Sequence, residues 1–390
     1  MHRRHFLQLA AVSLGASTPD YEKPLFNLHR HSTSPIKIRS IELLKVEKNY
    51  IVRATSTDGA KGYSVGKDPI EDYTTILTRR VAPFFVGKDV RDLETLIDEV
   101  YIKNYKLAGQ PFWLPVGTVE QALFDLFGKT VKKSVGELLG GAKRKEIPVY
   151  LSGSGRETTA EREVEVYREA LAKSGANAVK FKIGGRMSRN ADAYPGRTEK
   201  MIELARKAYG DKCVIYVDAN GSYDSKKAIE VGRWLEKLGI AFYEEPCPFE
   251  EFLETKRVAD ALKIPIAFGE CDSSFAKFQW LIDNRALDIV QPDLNYNGGF
   301  IRSARIARMA AKVGMSITPH NTQTGVEGCN ILQFASAIPN CGAYMEWPYR
   351  GKDNNESWFT PHLKVKDGKV AVPQGPGLGI QFDESYLGRA

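Results

Sequence analysis

Seven polar residues each close a short apolar run: Lys182 in "AVKFKI", Asp218 in "CVIYVDAN", Glu244 in "AFYEEP", Glu270 in "IPIAFGE", Asp293 in "LDIVQPD", His320 in "MSITPHN" and Glu346 in "GAYMEW". Their successive separations are 36, 26, 26, 23, 27 and 26 residues, about one strand-plus-helix unit each. Asp218, Glu244 and Glu270 end three consecutive runs, and three carboxylates brought together need a counter-charge. A hard divalent cation supplies it, and oxygen ligands that leave room for water and substrate suit Mg²⁺. Any one of the three could instead be a strand-end cap or salt bridge; three in phase favour the metal. Glu245, adjacent to Glu244, is expected to point to the other face and is left out of the ligand set.

Lys182 lies one unit before the first ligand. Near a metal and a second cation a lysine loses its proton more readily, so it can serve as a base. Lys180, two residues earlier, points the same way in an extended strand, and it can supply that second cation and touch a substrate carboxylate. His320 is the only histidine between residues 32 and 361. Asp293, one unit earlier, would orient its ring and raise its basicity. Glu346 could donate a hydrogen bond to developing charge if its surroundings keep it protonated. Two bases on opposite sides of a metal, with an acid beside them, suit abstraction of the proton next to a carboxylate. That proton is weakly acidic, so the charge left behind must be stabilised by metal and hydrogen-bond donors.

Convergence of these residues requires a particular scaffold. Eight apolar runs, beginning with "IPVYLSG", alternate with amphipathic stretches such as "SKKAIEVGRWLEKLG" and "IRSARIARMAAKVG". This predicts an α/β parallel barrel, whose strand C-terminal ends meet at one mouth. An open doubly wound sheet is the alternative, but no G-x-G-x-x-G turn supports it. The long first gap contains "GGRMSRNADAYPGR", read as a loop near that mouth. Upstream, "IKIRSIELLKVEK", "NYIVRATSTDG" and "KGYSVGKD" read as three strands followed by helical patterns, an α+β unit over residues 36–145.

Composition adds limits. The chain of 390 residues carries a net charge of +7, modest for its size, which suits an anionic small molecule better than nucleic acid. No apolar run reaches the ~18 residues of a membrane span. Five scattered cysteines show no CxxC, so neither a disulfide framework nor a zinc site is expected. Residues 1–35 are read as a twin-arginine-like signal (Arg3, Arg4, then Phe6 and Leu7) followed by a linker, which implies export to the periplasm. A basic start on a cytoplasmic protein is the alternative.

With "KFK", "DAN", "EEP", "GE", "QPD" and "PHN" in this order, and the closing "GPGLGIQFDE", the sequence from about Ile36 onward resembles the enolase superfamily, mandelate racemase subgroup. The resemblance implies a modified (β/α)7β TIM barrel over residues 146–347. An α+β capping domain (36–145) would cover its mouth, and residues 348–390 would return to that domain. It implies one Mg²⁺ per chain on Asp218, Glu244 and Glu270, with Asn220 beside the metal and substrate. Lys182 and the His320–Asp293 pair would be the acid/bases, Lys180 the contact for the substrate carboxylate and Glu346 the electrophilic acid. The leading expectation is an acid-sugar dehydratase, a lyase that removes the α-proton and then the β-hydroxyl. Alternatives are a racemase or epimerase of a 2-hydroxy acid, a cycloisomerase of a sugar-acid lactone or anhydro-sugar acid, and, remotely, a non-catalytic sugar-acid binder. A homo-oligomer is expected. Specificity is expected from the loops Val46–Tyr50, Lys61–Asp68 and Gly184–Arg197.

Overall fold

The computed structural model describes residues 23–153 and 155–389; the Arg3–Arg4 start, with the export signal expected there, lies outside the described residues. Three antiparallel strands open the fold, β1 (Ile38–Val46), β2 (Asn49–Ser56) and β3 (Lys61–Val65). The second turn contains the Asp58–Gly59 pair, with Gly59 at φ 93°. Helices α1 (Leu93–Asn104) and α2 (Gln110–Val131) follow, and α2 packs on the sheet. Their approach is close enough that a Cβ on Gly62 would sit 2.2 Å from the Leu126 nitrogen, so only glycine fits there. Helix α2 begins at Gln110, just after Gly109 at φ 116°. It stops at Lys132, whose left-handed backbone (φ 56°) ends the helix.

The eight predicted runs all form strands: β4 (Glu146–Ser152), β5 (Ala178–Lys182), β6 (Val214–Asp218), β7 (Phe242–Glu244), β8 (Ile266–Phe268), β9 (Ile289–Val290), β10 (Ser316–Ile317) and β11 (Met345–Pro348). They pair in parallel in chain order from β4 to β10, and β11 pairs with β4. A parallel bridge from Ile317 to Cys341 joins β10 to the segment entering β11, so the row of strands turns back on itself. Seven helices alternate with the strands: α3 (Ala160–Ser174), α4 (Arg197–Tyr209), α5 (Ser225–Lys237), α6 (Phe252–Ala261), α7 (Phe275–Asp283), α8 (Phe300–Lys312) and α9 (Val326–Ala337). This is the (β/α)7β order.

Alternation along β5 separates two environments. Phe181 packs outward against the rings of Tyr167 and Tyr209, while Lys180 lies on the inner side, its Nζ 5.4 Å from the Tyr150 ring centre. Tyr150, Ala178, Phe242 and Ala267 form a small buried cluster of their own, with the Tyr216 and Phe242 rings stacked 3.9 Å apart. The site therefore stands on an apolar floor.

The C-terminal residues return to the first sheet. Tyr386 hydroxyl meets Asn49 and the Val46 carbonyl, and the Phe382 ring lies 5.0 Å from that of Tyr63. One expectation is corrected here. The linker predicted to run through residue 35 does not reach so far, because the chain is docked from Leu25 onward. Glu94 accepts hydrogen bonds from the backbone N–H groups of Leu25, Phe26 and Asn27, and Phe26 and Leu28 are buried in the core.

Candidate active site and metal centre

Lys182, Asp218 and Glu244 are the last residues of β5, β6 and β7 and are paired in register: Lys182 opposite Asp218, Asp218 opposite Glu244. Glu270 follows β8 by two residues, Asp293 and His320 follow β9 and β10, and Glu346 lies within β11. All seven face one end of the strand ring, as their spacing predicts.

Four carboxylates meet two lysines there. Lys180 donates to both oxygens of Glu244 at 2.8 and 2.7 Å and lies 2.9 Å from Glu346 Oε1. Lys182 pairs with Asp218 Oδ2. Asn220 fixes the same carboxylate through its backbone N–H (2.7 Å) and its side-chain amide (3.0 Å). Burial works against the charge of Lys180, but Glu244 and Glu346 outweigh it and raise its pKa well above the ordinary value. Burial would likewise raise Asp218, yet Lys182 and Lys180 hold it low. Glu244 goes the other way: burial, with Asp218, Glu346 and Glu270 close by, pushes its pKa well up in spite of Lys180. The negative charge of the cluster exceeds what the two ammonium groups neutralise.

Oxygen atoms of Asp218, Glu244 and Glu270 all lie within 4.8 Å of one another, and Glu270 Oε2 is buried without a hydrogen-bond partner. An all-oxygen donor set, an orphaned carboxylate oxygen and surplus negative charge fit a hard divalent cation.

Two expectations change. Glu245 does not turn away: its carboxylate is buried within 4.8 Å of donor atoms of Glu270 and Cys271. Strand alternation fails because Glu245 lies just past β7 in the left-handed region, at φ 41°. Glu346, expected to be a protonated acid, is ion-paired instead. Burial favours its neutral form, but Lys180, His320 and Lys182 overcome this and hold its pKa at about 2.

His320 Nδ1 lies 2.8 Å from Asp293 Oδ2, and Nε2 lies 3.4 Å from Glu270 Oε2. A carboxylate acceptor fixes the proton on Nδ1 and leaves Nε2 for other partners. Backbone N–H groups of Asn295 and Tyr296 hold Asp293 Oδ1 at 2.8 and 3.1 Å. Burial opposes the charge of Asp293, yet Lys67 and His320 keep its pKa below the ordinary carboxylate range.

Lys67 escapes the sequence reading. It follows β3, is buried, pairs with Asp293 Oδ2 and lies 4.3 Å from the Tyr296 ring centre. Gln291, whose amide donates to Glu244 Oε2 at 3.1 Å, was within reach, since it precedes Asp293 by two positions in "QPD". Arg156 gives no sequence signal. It donates to the Asn220 side chain at 2.9 Å and to the carbonyls of Gly184 and Ile183.

A cavity of about 640 Å³ opens above these groups, with Lys182, Glu270, His320 and Glu346 in its wall beside Lys67 and Gln110. Arg186 represents the Gly184–Arg197 loop in that wall, as expected. The Val46–Tyr50 loop does not line it; that hairpin borders a neighbouring cavity with Gln323 and Glu327. Among the described residues no helix is long and apolar enough to cross a membrane.

Comparison with known proteins accords with this geometry. Residues 162–386 match the family described as enolase C-terminal domain-like. The chain is 30% identical over 338 residues to an arabinonate dehydratase of Saccharolobus solfataricus, covering 85% of this chain and 87% of that one. It is 27% identical to a D-galactarolactone cycloisomerase of Agrobacterium fabrum over 86% and 89% of the two chains. A mandelate racemase/muconate lactonizing protein of Paracoccus denitrificans, solved with magnesium, superposes with a TM-score of 0.82 at 29% identity over 90% of this chain and 97% of that one. The chain belongs to the enolase superfamily, in its mandelate racemase group, and is an enzyme of the lyase or isomerase type.

Proposed function

We propose that the protein is a Mg²⁺-dependent acid-sugar dehydratase. The observation that carries this reading is the placement of Lys182 and His320 in the wall of one cavity, Lys182 at the end of β5 beside β6 and His320 after β10, on the other side of the three ligand-bearing strands β6, β7 and β8 and separated from them by β9. Asp218, Glu244 and Glu270 would hold the cation. Bound there, it supplies Lewis-acid stabilisation of the charge that develops on a substrate carboxylate as the α-proton leaves. Lys182 takes that proton from one face. His320, with Nδ1 tied to Asp293, delivers a proton from Nε2 to the departing β-hydroxyl on the other face. The C–H and C–O bonds break, one water leaves, and the enol product becomes the 2-keto-3-deoxy acid. Lys180 and Asn220 would contact the substrate carboxylate once it displaces their present partners, Glu244 and Glu346 for Lys180 and Asp218 for Asn220.

Relatives of both reaction types support a second reading, cycloisomerisation of a sugar-acid lactone or anhydro-sugar acid, in which the same α-proton chemistry proceeds without net loss of water. The deciding experiment incubates the Mg²⁺-loaded enzyme with a panel of sugar acids and their lactones and weighs the products. A 2-keto product lighter by one water supports the dehydratase; an isomer of unchanged mass favours the cycloisomerase.

A further inference from the structure

Two neighbouring strand ends break the alternation that sends consecutive side chains to opposite faces. After β7, the left-handed backbone of Glu245 lets the side chains of Glu244 and Glu245 both reach the carboxylate cluster. After β8, Gly269 takes φ 127° and its carbonyl accepts from the Asp272 N–H at 3.2 Å. Glu270 and Cys271 lie in that turn, and both line the cavity. Gln110, at the start of α2, holds the turn by donating to the Cys271 carbonyl at 2.9 Å. Four potential ligands therefore stand where alternation would leave two.

The Mg²⁺ set proposed above takes Glu244 and Glu270 together with Asp218. Glu245 and Cys271 are left over. Glu245 is only 5% exposed, and its Oε1 is buried without a hydrogen-bond partner. Neither lysine of β5 is free to neutralise it: Lys182 is paired with Asp218, and Lys180 with Glu244 and Glu346. An unsatisfied buried carboxylate oxygen is costly, and this one calls for a positive partner.

Cys271 supplies the second half of the observation. Its thiol is free of any disulfide, and its sulfur lies within 4.8 Å of carboxylate oxygens of both Glu245 and Glu270, which lie equally close to each other. The chemistry of this donor set differs from that of the neighbouring centre. Mg²⁺ takes oxygen ligands, whereas two carboxylates and a thiolate suit a softer ion such as Zn²⁺.

We infer that Glu245, Glu270 and Cys271 form a second cation site, selective for Zn²⁺ over Mg²⁺, beside the Mg²⁺ centre and sharing Glu270 with it. On binding, the Cys271 proton passes to solvent and the thiolate becomes a ligand. Because Glu270 belongs to both sets, Zn²⁺ bound here competes with Mg²⁺ for that carboxylate and makes the enzyme sensitive to Zn²⁺. This goes beyond the dehydratase reading and holds whichever acid is turned over.

The test uses Co²⁺ as a spectroscopic stand-in for Zn²⁺, added to the full-length protein after EDTA treatment and desalting. A cobalt–thiolate bond gives an ultraviolet charge-transfer absorption that carboxylate ligands alone do not. The wild type should show it and lose it when Zn²⁺ is added, and Cys271→Ser should never show it. Competition with a chelating indicator should find Zn²⁺ bound at least about 10–100-fold more weakly by Cys271→Ser, the loss expected even for a supporting group of a metal site. Glu245→Gln should weaken Zn²⁺ in the same assay. Cys271→Ser should keep the Mg²⁺-dependent rise in melting temperature, since its sulfur is no Mg²⁺ ligand. Absence of the thiolate absorption from the wild type, or its persistence in Cys271→Ser, would overturn the inference. Unchanged Zn²⁺ affinity in Glu245→Gln, or loss of the Mg²⁺ response in Cys271→Ser, would overturn it as well. No measurement here needs turnover, so its failure leaves the dehydratase reading standing.

Discussion

Lys67 and His320 meet the same oxygen, Oδ2 of Asp293. The first arrives from the three-stranded sheet, 226 positions before Asp293, and the second from the adjoining barrel strand. Tyr296 reinforces the contact: its hydroxyl donates to the Asp68 carbonyl at 3.1 Å, and its ring underlies the Lys67 ammonium. The orientation of the histidine's partner thus depends on a loop outside the barrel.

Lys67→Met should therefore weaken the chemistry assigned to His320 while sparing that of Lys182. Removing one partner of a buried ion pair costs about 3–5 kcal/mol, so a fall in melting temperature is also expected. Elimination should drop about 10–100-fold, by analogy with the loss of groups that orient a functional histidine. Steady-state rates, together with α-hydrogen exchange in D₂O, check this. Equal loss of both activities in a folded variant would assign Lys67 to the scaffold alone.

Metal binding should be visible without substrate. Mg²⁺ should raise the melting temperature of the wild type by relieving repulsion in the carboxylate cluster. Asp218→Asn and Glu270→Gln should melt at temperatures that no longer respond to Mg²⁺. Thermal scans with Mg²⁺ and after EDTA treatment measure the difference. An identical Mg²⁺ response in all three proteins would remove these carboxylates from the ligand set.

Removal of residues before Ser34 should destabilise the fold. It deletes the buried Phe26 and Leu28 and leaves Glu94 without its three backbone donors. Burial of two such side chains contributes about 3–6 kcal/mol. A chain starting at Lys23 should keep wild-type stability, and urea unfolding of the two truncated proteins separates the cases.

Glu120, which does not line the cavity, should give the fold a pH-dependent stability. It accepts hydrogen bonds from Phe300 (2.9 Å) and Ile301 (2.8 Å) at the start of α8, yet burial pushes its pKa from 4.5 to about 8. Between those values the folded state binds more protons than the unfolded state. Its contribution is thus complete below pH 4.5 and is lost as the pH rises towards 8. Glu120→Gln should flatten this decline, which is at most about 1.4 kcal/mol per pH unit. Urea midpoints across that range check the sign.

Much of this was legible in the sequence for a physical reason. Parallel barrel strands are short apolar runs, and a polar residue closing each run at a constant interval marks one mouth. Asp218, Glu244, Glu270 and His320 were found that way. Glu245 was misplaced because a single left-handed residue reverses the alternation, and no pattern announces it. Lys67 was missed because its partner lies in another part of the chain. The ion pair of Glu346 depends on which carboxylates Lys180 reaches across the ring, a property of the assembled barrel. The segment from Leu25 to Leu28 has no periodicity, because it is anchored by one carboxylate and two side chains rather than by a repeating face.

The central claim is that Lys182 and His320 act as two separate bases on opposite faces of the α-carbon. It is tested most directly by NMR of α-hydrogen exchange and product formation in D₂O, with saturating Mg²⁺ and both epimers of a turned-over acid. Proton transfer needs approach to roughly 3 Å, so each base reaches one face only. His320→Asn should abolish elimination and retain exchange at the face served by Lys182, while Lys182→Ala should lose exchange at that face and keep it for the opposite epimer. Wild-type exchange and elimination in either variant would contradict the two-base assignment.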